Sequence, residues 1–549
     1  MMRVALGLLG FSLLLASGGT RSQTCGLSTV YVSTENRTIK WDLRFPRGVG
    51  VLKLGTGSDP SSTKWAVDPA VARLRGNELV RVTERVSSVS LTAVLPETNR
   101  RQDRVYAPAL FFEDRSIAVL SSLFDFSAED GKPQCTHFVA PPRSKVGAGD
   151  EWGRSSIDSD ASVPGYVVFG NPEIEYSGAM ILVLDKAAPP WAKEKMAQIL
   201  ESAIGLYAAK MGPQPLPPII IYAQSTIDAA PYHWGDRLPG SITLGLLGKG
   251  WLLQSQTLEE QLSDFLAHEV FHVWNARVNF VGDGDSLLAL EGGAELASVF
   301  ARSKTAPRPA SFALNKVSEA LNQCQFDLAY GSSLHDLLQS QHPGQAPYHC
   351  GMVVMFAATA SLGVGPEASE EFFKSWKSVL SDTRDKTHLW SDLVVKEHRS
   401  EKLEDLDRAI ATKGAFIKFL KKALTEDAYM IEPVDNLSLQ TKKQLAAVIV
   451  ANLMRLDCAG EVSLWSEEGG FRIDDKIQSC NGLRPGATIT GLLGEKPWDD
   501  PVYLARKIQS LCQKGSSISI DYSGGGATSL VKCNEPFPDV PAPVKIVKR

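Results

Sequence analysis

The chain has no excess of basic residues. Its 57 lysines and arginines are outnumbered by 62 aspartates and glutamates, for a formal net charge of -5. A nucleic-acid-binding surface needs concentrated positive charge, so nucleic acid is not an expected partner. Long apolar runs are also scarce. The run from Val4 to Ala16 is shorter than the ~20 residues a spanning helix needs, and no other segment is long and apolar enough. None of the eight cysteines forms a C-x-x-C pair, which removes zinc ribbons and thioredoxin-type redox chemistry. No feature of the sequence fixes an oligomeric state.

What is present describes an ordinary soluble composition, 44% hydrophobic and 22% charged. A chain of 549 residues is too long for one core, and three or four domains are expected. Residues 1–24 read as an export signal: Arg3, then the short apolar run, then the small residues Ala16-Ser17-Gly18-Gly19. The expected location is therefore periplasmic or extracellular, with no stable membrane span once the signal is removed. Arg21-Ser22-Gln23-Thr24 before Cys25 does not look like a lipoprotein box. An even cysteine count in an exported chain favours disulfides. Grouping by expected domain pairs Cys25 with Cys135 and Cys324 with Cys350, and leaves Cys458, Cys480, Cys512 and Cys533 to pair among themselves.

Along the chain, residues 25–164 are expected to form an antiparallel β domain. Ile39, Trp41, Leu43 and Phe45 alternate with polar residues, and Val89 to Leu95 repeats the period. Within it, 141 to about 165 reads as a linker or loop, from Pro141-Pro142, Gly147-Ala148-Gly149 and a Ser/Asp run. Residues 165–435 form the second expected domain. Met180 to Leu184 and Ile219 to Tyr222 are strand-like, Pro189 to Lys210 is helical, and Gly240 to Gly245 is extended. Residues 436–535 read as a compact β-rich module, with a helix around Val502 to Leu511 and strands at Ile518 to Tyr522 and Ser529 to Cys533. Residues 536–549 read as a disordered tail. The expected class is thus α+β and multidomain.

The chemistry concentrates at Leu266 to Asn275. His268-Glu269-Val270-Phe271-His272 is H-E-x-x-H. Residues four apart share a helix face, so His268 and His272 can reach one metal ion. The apolar positions Leu258, Leu262, Phe265, Leu266 and Val273 recur at helical spacing, and Glu269 lies inside that arc. A carboxylate there is costly unless it is paired or close to a metal. Eighteen residues separate His272 from Glu291, on a second helix through Leu287, Leu288, Glu291, Glu295 and Val299. Two imidazoles and one carboxylate with an open fourth position are a zinc donor set. The expected ligands of Zn2+ are His268, His272 and Glu291, with Glu269 as the base beside the bound water. Glu295, one turn on, could accept the free N–H of a liganding histidine.

H-E-x-x-H, eighteen residues, then Glu-Gly resembles the gluzincin zinc peptidases. The extension His-Glu-Val-Phe-His-Val-Trp-Asn looks most like the glycyl aminopeptidase family. The resemblance implies an N-terminal β domain, a mainly helical thermolysin-like catalytic domain and a C-terminal PDZ domain. It implies hydrolysis of a peptide or protein substrate laid along an edge strand near Gly240 to Gly245. Gly470 to Gly482 is similar to the PDZ turn before its Asn-Gly hairpin, although a Gly-Leu-Gly-Phe carboxylate loop is not evident. Ala346-Pro347-Tyr348-His349-Cys350-Gly351 resembles the Pro-Tyr-x-x-Gly element of aminopeptidase-type gluzincins, which implies Tyr348 as the donor to the reaction's oxyanion, with His349 as the adjacent candidate. Related aminopeptidases hold the substrate's α-amine with a strand glutamate; the corresponding position here reads as Thr243. That departure, with Gly293 and Ala294 in place of bulkier residues, motivates the alternative of a catalytically silent zinc- or peptide-binding protein. A third reading, a non-haem iron oxygenase, shares the two-histidine, one-carboxylate set, but the glutamate between the histidines favours zinc hydrolysis.

Overall fold

The structure is a computed structural model. It describes residues 26–549 apart from 56–63, 96–106, 128–134, 161–162, 179, 225–230, 276–283, 305, 329–332, 340–343, 360–365, 382–399, 427–428, 435–436, 460–461, 468, 476, 478 and 525–527. The expected signal segment and Cys25, the expected partner of Cys135, lie outside the described residues. Among the described residues no helix is long and apolar enough to cross a membrane. The chain divides into two compact units. One takes the described residues up to Phe111 with Arg115–Asn171, and the other takes Phe112–Asp114 with Pro172–Arg549.

The first unit is built of β-sheets. Period-two alternation buries Ile39, Trp41 and Leu43 while Lys40 and Asp42 face outward. Trp41 packs edge-on against Phe124 at 5.6 Å and donates through its indole N–H to Ser28 Oγ at 2.8 Å. The stretch expected to be a linker is instead structured. Lys145–Ala148, Glu151–Arg154 and Ser156–Asp160 are strands, the last paired antiparallel with Cys135–Val139. The glycines that suggested a loop serve a tight hairpin: Gly149 sits at φ +55°, and a side chain on Gly147 would collide with the Trp152 ring. The unit extends past the expected boundary at 164, because Tyr166–Gly170 pairs with Ile117–Leu120.

The second unit opens with a five-stranded sheet in the order Glu173–Ser177, Met180–Leu184, Ile219–Gln224, Ser241–Leu247, Tyr232–Leu238. The three middle strands run parallel and the outer two antiparallel. Helix α1 (Pro190–Met211) connects Met180–Leu184 to Ile219–Gln224, and after the sheet come α2 (Gln256–Asn275), α3 (Gly284–Ser303), α4 (Pro309–Leu328), α5 (Leu334–Gln339), α6 (Ala346–Thr359) and α7 (Pro366–Ser381). One apolar core joins the sheet to these helices, including Ile219, Leu244, Leu266, Phe271, Leu296, Val353 and Phe373. Cys324 of α4 is bonded to Cys350 of α6.

The C-terminal part carries a helix, Leu439–Asp457, then five strands from Leu464 to Lys532 in sequential antiparallel order, with Pro501–Gln513 packed on them. Its disulfides are Cys458–Cys480 and Cys512–Cys533. The expected disordered tail is a correction. Val544–Lys548 forms a strand paired with Tyr429–Pro433. Val544 and Ile546 are buried and the intervening Lys545 is exposed, the alternation of a half-buried strand. The buried Asn322 of α4 brackets it: its amide donates to the Val544 carbonyl and its oxygen accepts the Val544 N–H, both at 2.8 Å. Ser318 Oγ accepts from the Ile546 N–H at 2.8 Å. Asn322→Ala strands two buried backbone groups and should cost about 1–3 kcal/mol, read as a lowered denaturant midpoint. An unchanged midpoint would mean the tail does not depend on this bracket.

Candidate metal centre

Helix α2 contains neither proline nor glycine, and α1 covers one of its faces. The Tyr207 hydroxyl donates to the Ala267 carbonyl at 3.1 Å, and its ring meets Phe271 and Trp274 edge-on. This fixes the turn that presents His268, Glu269 and His272, the first two of which are buried. Glu291 comes from α3. Two of its neighbours are glycines for a steric reason. A Cβ on Gly292 would lie 2.1 Å from the Gly351 carbonyl carbon of α6, and one on Gly293 would lie 2.3 Å from the Trp376 ring of α7. Gly293, one of the two small residues that motivated the silent-protein alternative, is therefore where Trp376 of α7 packs against α3.

The three expected ligands converge. His268 Nε2 is 3.1 Å from Glu291 Oε2 and 3.0 Å from His272 Nε2, and His272 Nε2 is 3.4 Å from Glu291 Oε2. Tetrahedral zinc with bonds of 2.0–2.1 Å keeps its ligand atoms about 3.3 Å apart. The donor set and spacing fit zinc. On the far side of the ring, His268 Nδ1 faces Glu295 Oε1 at 3.1 Å. A proton held there leaves the Nε2 lone pair directed at the centre.

Burial alone would push the His268 imidazole down, but Glu291, Glu295 and Glu269 outweigh it and hold it well above its ordinary value. Burial would raise Glu291, but the imidazoles of His272 and His268 hold it far below the usual carboxylate range. Glu295 is lowered in the same way by His268 and, at longer range, His349. Glu269 goes the other way: burial pushes its carboxyl up to about 7, against the pull of both histidines.

Two residues that support the site have weaker signals in the sequence. Asn275 is buried, with its amide nitrogen 3.3 Å from His272 Nδ1 and donating to the Leu290 carbonyl at 3.3 Å. Trp376 donates to the Asn275 oxygen at 2.8 Å and so fixes which way the amide faces. Asn275 closes the motif and could be noticed there; Trp376, about a hundred residues on, has no local signal.

The substrate-side strand needs correction. Ser241–Leu247 lies inside the sheet, and the edge is Tyr232–Leu238. Thr243 pairs across from Asp236. A Cβ on Gly235 would lie 2.3 Å from Glu269 Oε1, so the edge-strand backbone lies directly against that carboxylate. Asp236 is near enough for its charge to help raise Glu269. Tyr348 stands beside the centre, its ring stacked on His268 with centroids 5.5 Å apart. His349 Nδ1 lies 3.2 Å from Asp327 Oδ2 of α4.

No protein-family model and no curated protein matches this chain. Among solved structures it is similar to native yeast LTA4 hydrolase, at 10% identity, TM-score 0.41, covering 78% of this chain and 71% of that one. It is similar also to yeast LTA4 hydrolase in complex with bestatin, at 12% identity and TM-score 0.38 over the same shares.

Proposed function

We propose that the protein is an exported zinc metallopeptidase, aminopeptidase-like, of the gluzincin kind. The observation that carries the reading is the convergence of His268, His272 and Glu291 at zinc-ligand spacing, with Glu269 buried against an edge-strand backbone. Zinc held by those three residues would polarise the scissile carbonyl and lower the pKa of its water. Glu269 would take a proton from that water and pass it to the leaving amine. The edge strand Tyr232–Leu238 pairs with the extended substrate backbone. Asp236 is that strand's carboxylate and the candidate anchor for a substrate α-amine. The C-terminal five-stranded module is read as PDZ-like on Gly470 to Gly482. Disulfides in the second unit are compatible with export.

Comparing a free-amine peptide with its N-acetylated twin tests the finer assignment. Release of N-terminal residues from the free peptide alone supports an aminopeptidase; equal internal cleavage of both overturns it. Tyr348 would donate its hydroxyl to the carbonyl oxygen as charge develops there, so it should act on turnover rather than on substrate binding. Tyr348→Phe is expected to lower kcat about a hundredfold or more, with KM and zinc content little changed. His349→Ala should be milder. Normal turnover in Tyr348→Phe with an inactive His349→Ala would transfer the role to the histidine.

A further inference from the structure

Tyr348 lies in the first turn of α6, the end of a helix with the fewest backbone bonds to hold it; its N–H and that of His349 both donate to the Gln345 carbonyl, at 3.1 Å. The three residues after it are held by three different contacts. His349 is braced by Asp327, Cys350 is bonded to Cys324, and Gly351 lies backbone to backbone against Gly292, next to Glu291. Only the disulfide is covalent. Both its sulfurs are fully buried, and it ties the turn to α4, the helix that also supplies Asp327.

We propose that Cys324–Cys350 is a positioning pair for the reaction, holding the first turn of α6 so that Tyr348 stays against His268. The inference rests on the zinc-peptidase reading and deepens it. A displacement of about 1 Å in a reacting group can cost a hundredfold in rate. Opening the bond should therefore lower turnover while leaving the metal ligands, which sit on α2 and α3, in place.

The test is the double variant Cys324→Ala/Cys350→Val, which removes the bond and refills the buried volume, with Cys324→Val/Cys350→Ala as its alternate should the first not fold. The expected result is a fall in kcat of about tenfold or more, with KM and zinc content near those of the unmodified protein. Backbone amide exchange at residues 349 and 350 should also become faster. Cys458→Ala/Cys480→Ala, which opens a bond of similar sequence span in the C-terminal module, should leave kcat unchanged. A folded Cys324/Cys350 variant with kcat within twofold of the unmodified protein would overturn the proposal, as would an equal kcat loss in the C-terminal control. If the unmodified protein hydrolyses no peptide, the peptidase reading fails. The exchange rates at 349 and 350 then still decide whether the bond holds the turn, and unchanged rates would overturn that part.

Discussion

Glu269→Gln should keep the fold and the zinc while kcat falls by about 10²–10⁴. Glutamine has nearly the same shape and cannot accept the water's proton. The position is demanding because the carboxyl is buried between two histidines and the backbone at Gly235. The same burial gives a second signature in the metal-free protein. A carboxyl raised from 4.5 to about 7 is protonated in the folded chain where the unfolded chain has already lost the proton. The folded state then binds more protons, so Glu269 makes stability fall as pH rises from about 4.5 to about 7. Glu269→Gln should flatten that part of the curve. Metal content, turnover and unfolding measured across this range decide the matter; unmodified turnover in the variant would sink the mechanism.

Glu291→Ala should abolish stoichiometric zinc. Its Oε2 lies within 3.4 Å of both imidazole Nε2 atoms, so its loss leaves two imidazole ligands and no carboxylate ligand for the metal. Glu295→Ala should weaken zinc only ~10–100-fold, because Glu295 contacts the other side of the His268 ring. Zinc retained in Glu291→Ala and lost in Glu295→Ala would exchange their roles.

Much of this centre was legible because it is local. H-E-x-x-H sits on one helix, so helical periodicity puts His268 and His272 on one face, and the motif's eighteen-residue spacing picks out Glu291 on the next helix. What was not legible depends on pairing between distant segments. Trp376 supports Asn275 only once α7 has packed on α2 and α3. The resemblance puts the edge strand near Gly240 to Gly245, whereas the edge is Tyr232–Leu238, whose hairpin with Ser241–Leu247 depends on strand pairing that composition does not reveal. The tail strand was hidden by its prolines and lysines, although Val544 and Ile546 already alternate; what orders it is Asn322, far away in sequence. The glycines of Lys145–Arg154 suggested a loop, where a packed tryptophan and a positive φ required them.

The most direct measurement is a zinc titration of the metal-free protein, followed simultaneously by bound metal and by hydrolysis of a mixed peptide library. Hydrolysis should be absent without metal and rise in proportion to bound zinc, levelling off at one ion per chain. One tightly bound zinc with no cleavage of any peptide would contradict the account and favour a silent binding protein, and cleavage undiminished in the metal-free chain would contradict it altogether.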